Sequence, residues 1–334
     1  MSHAGDLAAK LVASFGESGE EAPGGFAFTP DGSFLVTVGS GTSNYAEINE
    51  INSAMIWNMK TRQVVRSFGG FQAFETAVAV SPDGLMSATP HDGSGSSPSN
   101  GTFIWNWSDL SQIASLLISG VSFGVNSVAF SPDSSLLVVG TGTATGSGPG
   151  NGAGQAVLWD VATQQRRAIL SGQANIVNDA VFSPDGKSIA TASGDGSVWL
   201  WDTASAQHVG TLTGHLSSVN SVTYSPDGTI IATGSFDTSV RLRDAATGTQ
   251  LAELVGQNSE VHSVSFSADG KILVSAGLDN FVTLWDPVHY QVLGSIITGP
   301  VWYVAISPAG RSLVTLNDLS GAANSRQAIS LWSF

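Results

Sequence analysis

The chain contains no cysteine, so disulfides, thiolate nucleophiles and cysteine metal sites are all excluded. Charge is scarce. Asp, Glu, Lys and Arg together make up 11% of the 334 residues, against about 25% in an ordinary soluble domain. Cations are scarcest: 12 Lys plus Arg stand against 26 Asp plus Glu, a formal charge of −14. A phosphate backbone is bound mainly by Lys and Arg that displace its counterions. The densest basic spot is Arg166-Arg167, so nucleic acid and anionic membrane are not expected partners. No apolar run approaches the roughly 20 residues of a membrane helix. The opening Met1-Ser2-His3-Ala4-Gly5-Asp6 has no basic segment leading into an apolar core, so no signal peptide is read there and a cytoplasmic location is expected, with secretion left open.

What is present is apolar and regular. Hydrophobic residues reach 42% and glycines number 39. The glycines and serines separate apolar runs rather than replace them, which points to an ordered chain. One turn element recurs seven times: Thr29-Pro30-Asp31-Gly32, Ser81-Pro82-Asp83-Gly84, Ser131-Pro132-Asp133-Ser134, Ser183-Pro184-Asp185-Gly186, Ser225-Pro226-Asp227-Gly228, Ser267-Ala268-Asp269-Gly270 and Ser307-Pro308-Ala309-Gly310. Pro presets φ, Asp bonds the local backbone and Gly accepts positive φ. Apolar alternation flanks each copy, as in Val222 and Tyr224 before and Ile230-Ile231-Ala232 after, which predicts two strands joined by a tight turn.

A second element follows each turn: Ile56-Trp57-Asn58, Ile104-Trp105-Asn106, Leu158-Trp159-Asp160, Leu200-Trp201-Asp202, Leu242-Arg243-Asp244, Leu284-Trp285-Asp286 and Leu331-Trp332-Ser333. Successive turns are 52, 50, 52, 42, 42 and 40 residues apart. A period near 40–45 residues with a Trp-Asp dipeptide resembles the WD-repeat family of β-propellers along the whole chain. The resemblance implies an all-β fold, a closed seven-bladed propeller of four antiparallel strands per blade, forming a single domain over 1–334. Blades are expected to start near residues 24, 74, 124, 177, 219, 261 and 302. Only Phe334 lies beyond the last Trp by more than one position, so the seventh blade lacks a fourth strand. Residues near 7–15 are expected to supply it and remove an open sheet edge.

In that family a His in the loop entering strand a bonds a Ser or Thr on strand b, and an Asp in the b–c turn and the motif Trp complete the network. His215, Thr233 and Asp237 match this pattern, although Arg243 replaces the Trp. Asp195 with Trp201, and Asp279 with Trp285, match in part; Gln173 and Gln257 stand where His is expected. His215 beside Asp237 is on paper a catalytic pair, but no nucleophile accompanies it, and the structural role is the expected one.

Family geometry places one residue of each blade, six before the turn Pro, at the rim of the central channel. Around the ring it is Gly24, Thr76, Asn126, Asn178, Asn220, His262 and Trp302, followed by Tyr303; Phe236, on the b–c turn of blade five, joins them. Amides can bond peptide backbone or sugars, and the rings can stack; the competing role for the Asn residues is to cap local turns. The b–c connections are tight in blades four to six and long in blades one, two, three and seven, near 39–53, 90–100, 141–153 and 316–326. These loops are either neutral insertions or a binding wall.

The expected function is a non-catalytic scaffold that binds a protein or peptide, neutral or basic in charge, on this face. Two alternatives stand. One is an enzyme using His262, Trp302, Tyr303, Glu75 and Asp179; the other is a carbohydrate-binding propeller. No cofactor and no metal are expected: the six His show no ligand spacing, and His91-Asp92 is an isolated pair. Nucleotide loops and a Ser nucleophile elbow are missing. A monomer is slightly favoured.

Overall fold

The computed structural model describes residues 10–15, 22–40, 53–69, 77–91, 100–118, 124–142, 154–310, 312–317 and 328–334. These residues form seven four-stranded antiparallel sheets and no helix. Strands a, b, c and d of blade one are Ala22–Phe28, Phe34–Ser40, Ser53–Asn58 and Gln63–Gly69. Those of blade two are Ala79–Val80, Met86–His91, Asn100–Asn106 and Gln112–Ile118. Blade three is Val125–Phe130, Leu136–Thr141, Gln155–Asp160 and Gln165–Ser171. Blade four is Val177–Phe182, Ser188–Ser193, Val198–Asp202 and His208–Leu212. Blade five is Val219–Tyr224, Ile230–Ser235, Val240–Asp244 and Gln250–Leu254. Blade six is Val261–Phe266, Leu273–Gly277, Phe281–Asp286 and Gln291–Ile297. Blade seven is Val301–Ile306, Ser312–Asn317 and Ala328–Ser333. Its fourth strand comes from the other end of the chain: Lys10–Phe15 pairs antiparallel with Ala328–Ser333, Lys10 opposite Ser333 and Phe15 opposite Ile329. The architecture is a seven-bladed β-propeller.

The recurring turn explains the a–b hairpins. In blade five the Ser225 hydroxyl donates to Asp227 at 2.6 Å, the Ile230 amide donates back to Ser225 Oγ at 2.9 Å, and the Gly228 amide closes on the Ser225 carbonyl at 2.8 Å. Gly228 has φ +74°, the left-handed region that a side chain disfavours. Blade three keeps the same turn with Ser134 at φ +61°. Asp185, Asp227 and Asp269 sit below the ordinary carboxylate range, with the turn Ser hydroxyl as the largest cause.

Contacts divide the chain into two compact units. One holds Met1–Glu20, Gly196–Val198 and Thr211–Phe334; the other holds Glu21–Asp195 and Trp199–Gly210. Each is built by stacking consecutive sheets. In the second unit Val36, Ile56 and Phe68 meet Trp105, Ile104 and Leu116 meet Trp159, and Leu158 and Leu170 meet Trp201. In the first, Leu242 and Leu254 meet Trp285, and Leu284 and Ile296 meet Trp332. Each of these motif Trp residues is therefore pressed against the preceding blade, which is the hydrophobic reason for the repeat. Strand b is buried throughout, as at Leu136–Thr141, whereas strand d alternates between core and solvent, as at Gln112–Ile118.

Candidate functional site

The motif Trp residues are anchored by a hydroxyl on strand b. Trp57 Nε1 donates to Thr37, Trp105 to Thr89, Trp201 to Thr191, Trp285 to Ser275 and Trp332 to Thr315, at 2.8–3.1 Å. Blade three has Val139 at that position, and the buried Trp159 Nε1 has no hydrogen-bond partner among the described residues. In blade five His215 lies 2.8 Å from Asp237 through Nδ1 and 2.7 Å from Thr233 through Nε2. Arg243 occupies the Trp position, is buried, and donates to the carbonyls of Thr213 and Gly248. In blades four and six glutamines replace the histidine: Gln173 Nε2 donates to the Thr191 carbonyl, and Gln257 Nε2 to the Ser275 carbonyl and hydroxyl. The turn aspartates serve one purpose in all three blades. Asp195, Asp237 and Asp279 each accept the amide that follows the His or Gln, from Ala174, Leu216 and Asn258. The network ties the d–a loop to the b–c turn.

The rim position has a structural identity that sequence alone did not reveal. In six blades the a–b register slips at that residue: between Pro23 and Gly25, Val125 and Ser127, Val177 and Asp179, Val219 and Ser221, Val261 and Ser263, and Val301 and Tyr303. Gly24, Asn126, Asn178, Asn220, His262 and Trp302 are thus β-bulge residues, and a bulge redirects a side chain out of the sheet alternation. Two of the asparagines use their amides as stitches to the next blade. Asn126 Nδ2 donates to the carbonyls of Gly142 and Val177 at 3.1 Å, and Asn220 Nδ2 to that of Val261 at 3.2 Å. Asn178 is half-buried.

Blades six and seven depart from this. His262 and Trp302 stand edge to face with ring centroids 4.4 Å apart, and Phe236 approaches His262 from the other side at 5.0 Å. All three lie at the same end of their sheets, because the start of each strand a pairs with the end of strand b: Val261 opposite Gly277 and Val301 opposite Asn317. His262 is 9% exposed, and neither its Nε2 nor Trp302 Nε1 has a hydrogen-bond partner among the described residues. The nearest carboxylate, Glu260, is 3.8 Å from His262 Nε2 and faces solvent. Burial lowers the His262 pKa and Glu260 opposes this, so the ring is neutral at pH 7. Phe236 and Tyr303 are 37% and 38% exposed. Phe236, His262 and Trp302 form an aromatic cluster with two buried polar atoms, the obligatory indole N–H donor and one imidazole nitrogen that can donate or accept.

The other sequence candidates fall elsewhere. Asp179 accepts the Ser127 hydroxyl at 3.0 Å and its neighbour's amide, that of Ala180, at 2.9 Å, which occupies it in strand pairing. Glu75, Thr76, Asp92 and nearly all of the four long b–c connections lie outside the described residues. Glu260 was not singled out in the sequence; its place one residue before strand a of blade six is the only signal it carried. Among the described residues no group of three or more His, Cys, Asp or Glu could hold a metal ion, and no helix is long and apolar enough to cross a membrane.

The family model described as WD domain, G-beta repeat matches residues 112–147, 164–202, 206–244 and 248–286. The last three segments each begin at or just before strand d of one blade and end at the c-strand Asp of the next, Asp202, Asp244 or Asp286, so the sequence repeat is offset by one strand from the structural blade. They cover the tight b–c turns of blades four, five and six. No curated protein matches the chain. Four matched repeats, the seven turn and Trp-Asp elements and the seven four-stranded blades agree: the chain belongs to the WD-repeat family of β-propellers.

Proposed function

We propose that this propeller is a non-catalytic docking module that takes a protein or peptide segment where Phe236, His262 and Trp302 meet. WD propellers typically bind proteins or peptides, and the fold by itself assigns no activity. The observation that carries the reading is the pair of buried, unpartnered ring nitrogens, His262 Nε2 and Trp302 Nε1. A buried polar atom left unpaired costs about 1–3 kcal/mol, and a bound segment that displaces the neighbouring rings and offers a carbonyl to the indole N–H removes that cost. Trp and Tyr are also the residue types that carry interface energy. Asn126 and Asn220 are scaffold in this reading, because their amides already serve the next blade. With a net charge of −14, a neutral or basic partner is favoured over an acidic one at this site, and association slows as salt rises.

Two changes test it against partners captured by the full chain. Trp302→Phe keeps the ring and removes the donor; Trp302→Ala removes both. Affinity should fall in that order, by about 1–3 kcal/mol for the alanine variant. Normal capture by a folded Trp302→Ala protein refutes the site.

A further inference from the structure

We propose a second binding site, between blades one and two, for an acidic peptide segment that carries one large apolar side chain. A cavity of about 460 Å³ opens there, lined by Phe34, Ile56, Asn58, Val65, Arg66 and Trp107. It lies where the a–b and c–d turns of the two sheets come together, at the opposite ends of these sheets from their b–c connections. Its size is at the small end for ligand pockets and suits a single aromatic or aliphatic side chain.

The walls are apolar and held in place. Ile56 is 3% exposed and forms the floor, while Phe34 and Trp107 meet edge to face at 6.4 Å. Trp107 is not a motif Trp; its amide donates to the Leu85 carbonyl at 2.8 Å, which fixes the chain as it leaves strand c of blade two. Val65 lines the cavity and is 48% exposed, so apolar surface continues to the mouth. Arg66 reaches across from blade one, and its Nη1 donates to the Ser108 carbonyl of blade two at 2.9 Å. That bond orients an exposed guanidinium beside the opening with donors to spare.

Charge selects the partner. In blades three to six the c–d turn is capped by a carboxylate: Asp160, Asp202, Asp244 and Asp286 accept the turn amides. In blades one and two the same bonds go to Asn58, from Lys60 and Thr61, and to Asn106, from Ser108. The amides keep the turn and remove two negative charges from the rim. The Asn58 turn also presents Lys60 and Arg62, so three of the chain's 12 cations lie within seven residues, and residues 53–69 contain no acid. The carboxylates on the adjoining turns, Asp31, Asp83 and Asp109, are engaged locally by Thr29 and Ser33, by Ser81 and the Leu85 amide, and by Ser111. In a protein of charge −14 the segment 53–69 is thus a local cluster of cations without acids beside an apolar cavity. It fits a short segment with Asp or Glu flanking an apolar anchor. A long polyanion is repelled by the remaining surface, whereas a peptide of few charges meets only this patch.

The test uses the full chain and a fluorescein-labelled pentapeptide with Phe flanked by two Glu on each side, read by anisotropy at low salt. Saturable binding is expected, weakened about tenfold or more by Arg66→Glu, by the turn variant Lys60→Glu/Arg62→Glu, and by Ala in place of the peptide's Phe. These side chains are exposed, so folding is preserved, and Val65→Asp provides a further variant at the lip. Trp302→Ala should bind the peptide as the parent does, which separates this site from the first. Equal binding of a Lys-flanked peptide, or charge-reversed variants within twofold of the parent, overturns the proposal. So does capture of anionic vesicles without capture of the peptide.

Discussion

His215 and Asp237 are 2.8 Å apart, and they hold each other in different charge states. Burial alone would raise the Asp237 pKa, but hydrogen bonds from Ser239, the Leu216 amide and His215 outweigh it and leave the group far below the carboxylate range. Burial lowers the His215 pKa, opposed by Asp237 and reinforced by Arg241 and Arg243. The carboxylate is therefore ionised and the imidazole neutral. Nδ1–H donates to Asp237, and Nε2 accepts from the Thr233 hydroxyl. The pair is a brace between loop and turn, and its geometry leaves the imidazole no free nitrogen for proton transfer.

The glutamines of blades four and six bond strand b as this histidine does, and the turn Asp keeps its backbone amide there, so His215→Gln should cost under about 1 kcal/mol. Asp237→Ala removes the acceptor of four donors, Leu216 N, Ser239 N, Ser239 Oγ and His215 Nδ1, and should cost about 1–3 kcal/mol. Urea denaturation of both variants separates the two outcomes.

Trp159 is the motif Trp whose strand-b partner is a valine, and its Nε1 is buried without a partner. Val139→Thr is nearly isosteric and supplies the hydroxyl found in the six other blades, which anchors the motif Trp in five of them. Stability should rise by about 1 kcal/mol, seen as a higher urea midpoint at unchanged slope. An unchanged or lower midpoint counts against the assignment of that hydroxyl as the Trp anchor.

Arg243 is a buried cation satisfied by two carbonyls, Thr213 and Gly248. Arg243→Met keeps much of the volume but strands both acceptors, and should destabilise by about 1–3 kcal/mol. Arg243→Lys should not rescue it, since a point charge cannot reach both carbonyls as a planar fork does.

His215 and His262 both have folded pKa values lowered from 6.5 by burial. Below pH 6.5 the unfolded chain takes up protons that the folded chain does not, so stability falls as pH drops from about 6.5 toward the folded values. His262→Phe should flatten that slope in thermal melts between pH 7 and 5. An identical slope in parent and variant means that His262 titrates normally.

Residues 10–15 close blade seven by pairing with Ala328–Ser333. Deleting residues 1–16 bares the edge of the Ala328–Ser333 strand, and edges template association. The truncated protein should melt earlier and associate in size-exclusion chromatography. A monomer with the parent's melting temperature contradicts the role of this strand as clasp.

Much of the fold was legible because its determinants are local. Ser225-Pro226-Asp227-Gly228 makes its turn from bonds that span five residues or fewer, and Trp285 needs only a hydroxyl ten residues earlier. The site was legible in part. Residues 126, 178, 220, 262 and 302 were recognised as equivalent by their distance from the turn, but not as bulges, because a register slip depends on the partner strand. The cation cluster escaped notice because Lys60, Arg62 and Arg66 are interrupted by neutral residues and converge only across a turn.

By itself, the sequence determined the repeat, the number of blades and the conflict at Arg243, since each follows from local motifs at a regular spacing, and the strand that completes the seventh blade, since one apolar run at residues 10–15 is left over at the opposite end of the chain. Only the tertiary structure decided which polar groups remain available. It turned Asn126 and Asn220 into stitches, tied Gln173 and Gln257 to strand b where a histidine was expected, and set His262 against Trp302, forty residues away, with His262 Nε2 and Trp302 Nε1 unpaired among the described residues. It also brought Phe34 and Trp107 together around a cavity. Hydrogen-bond satisfaction is a property of neighbours in space, and the neighbours that matter here lie one blade away.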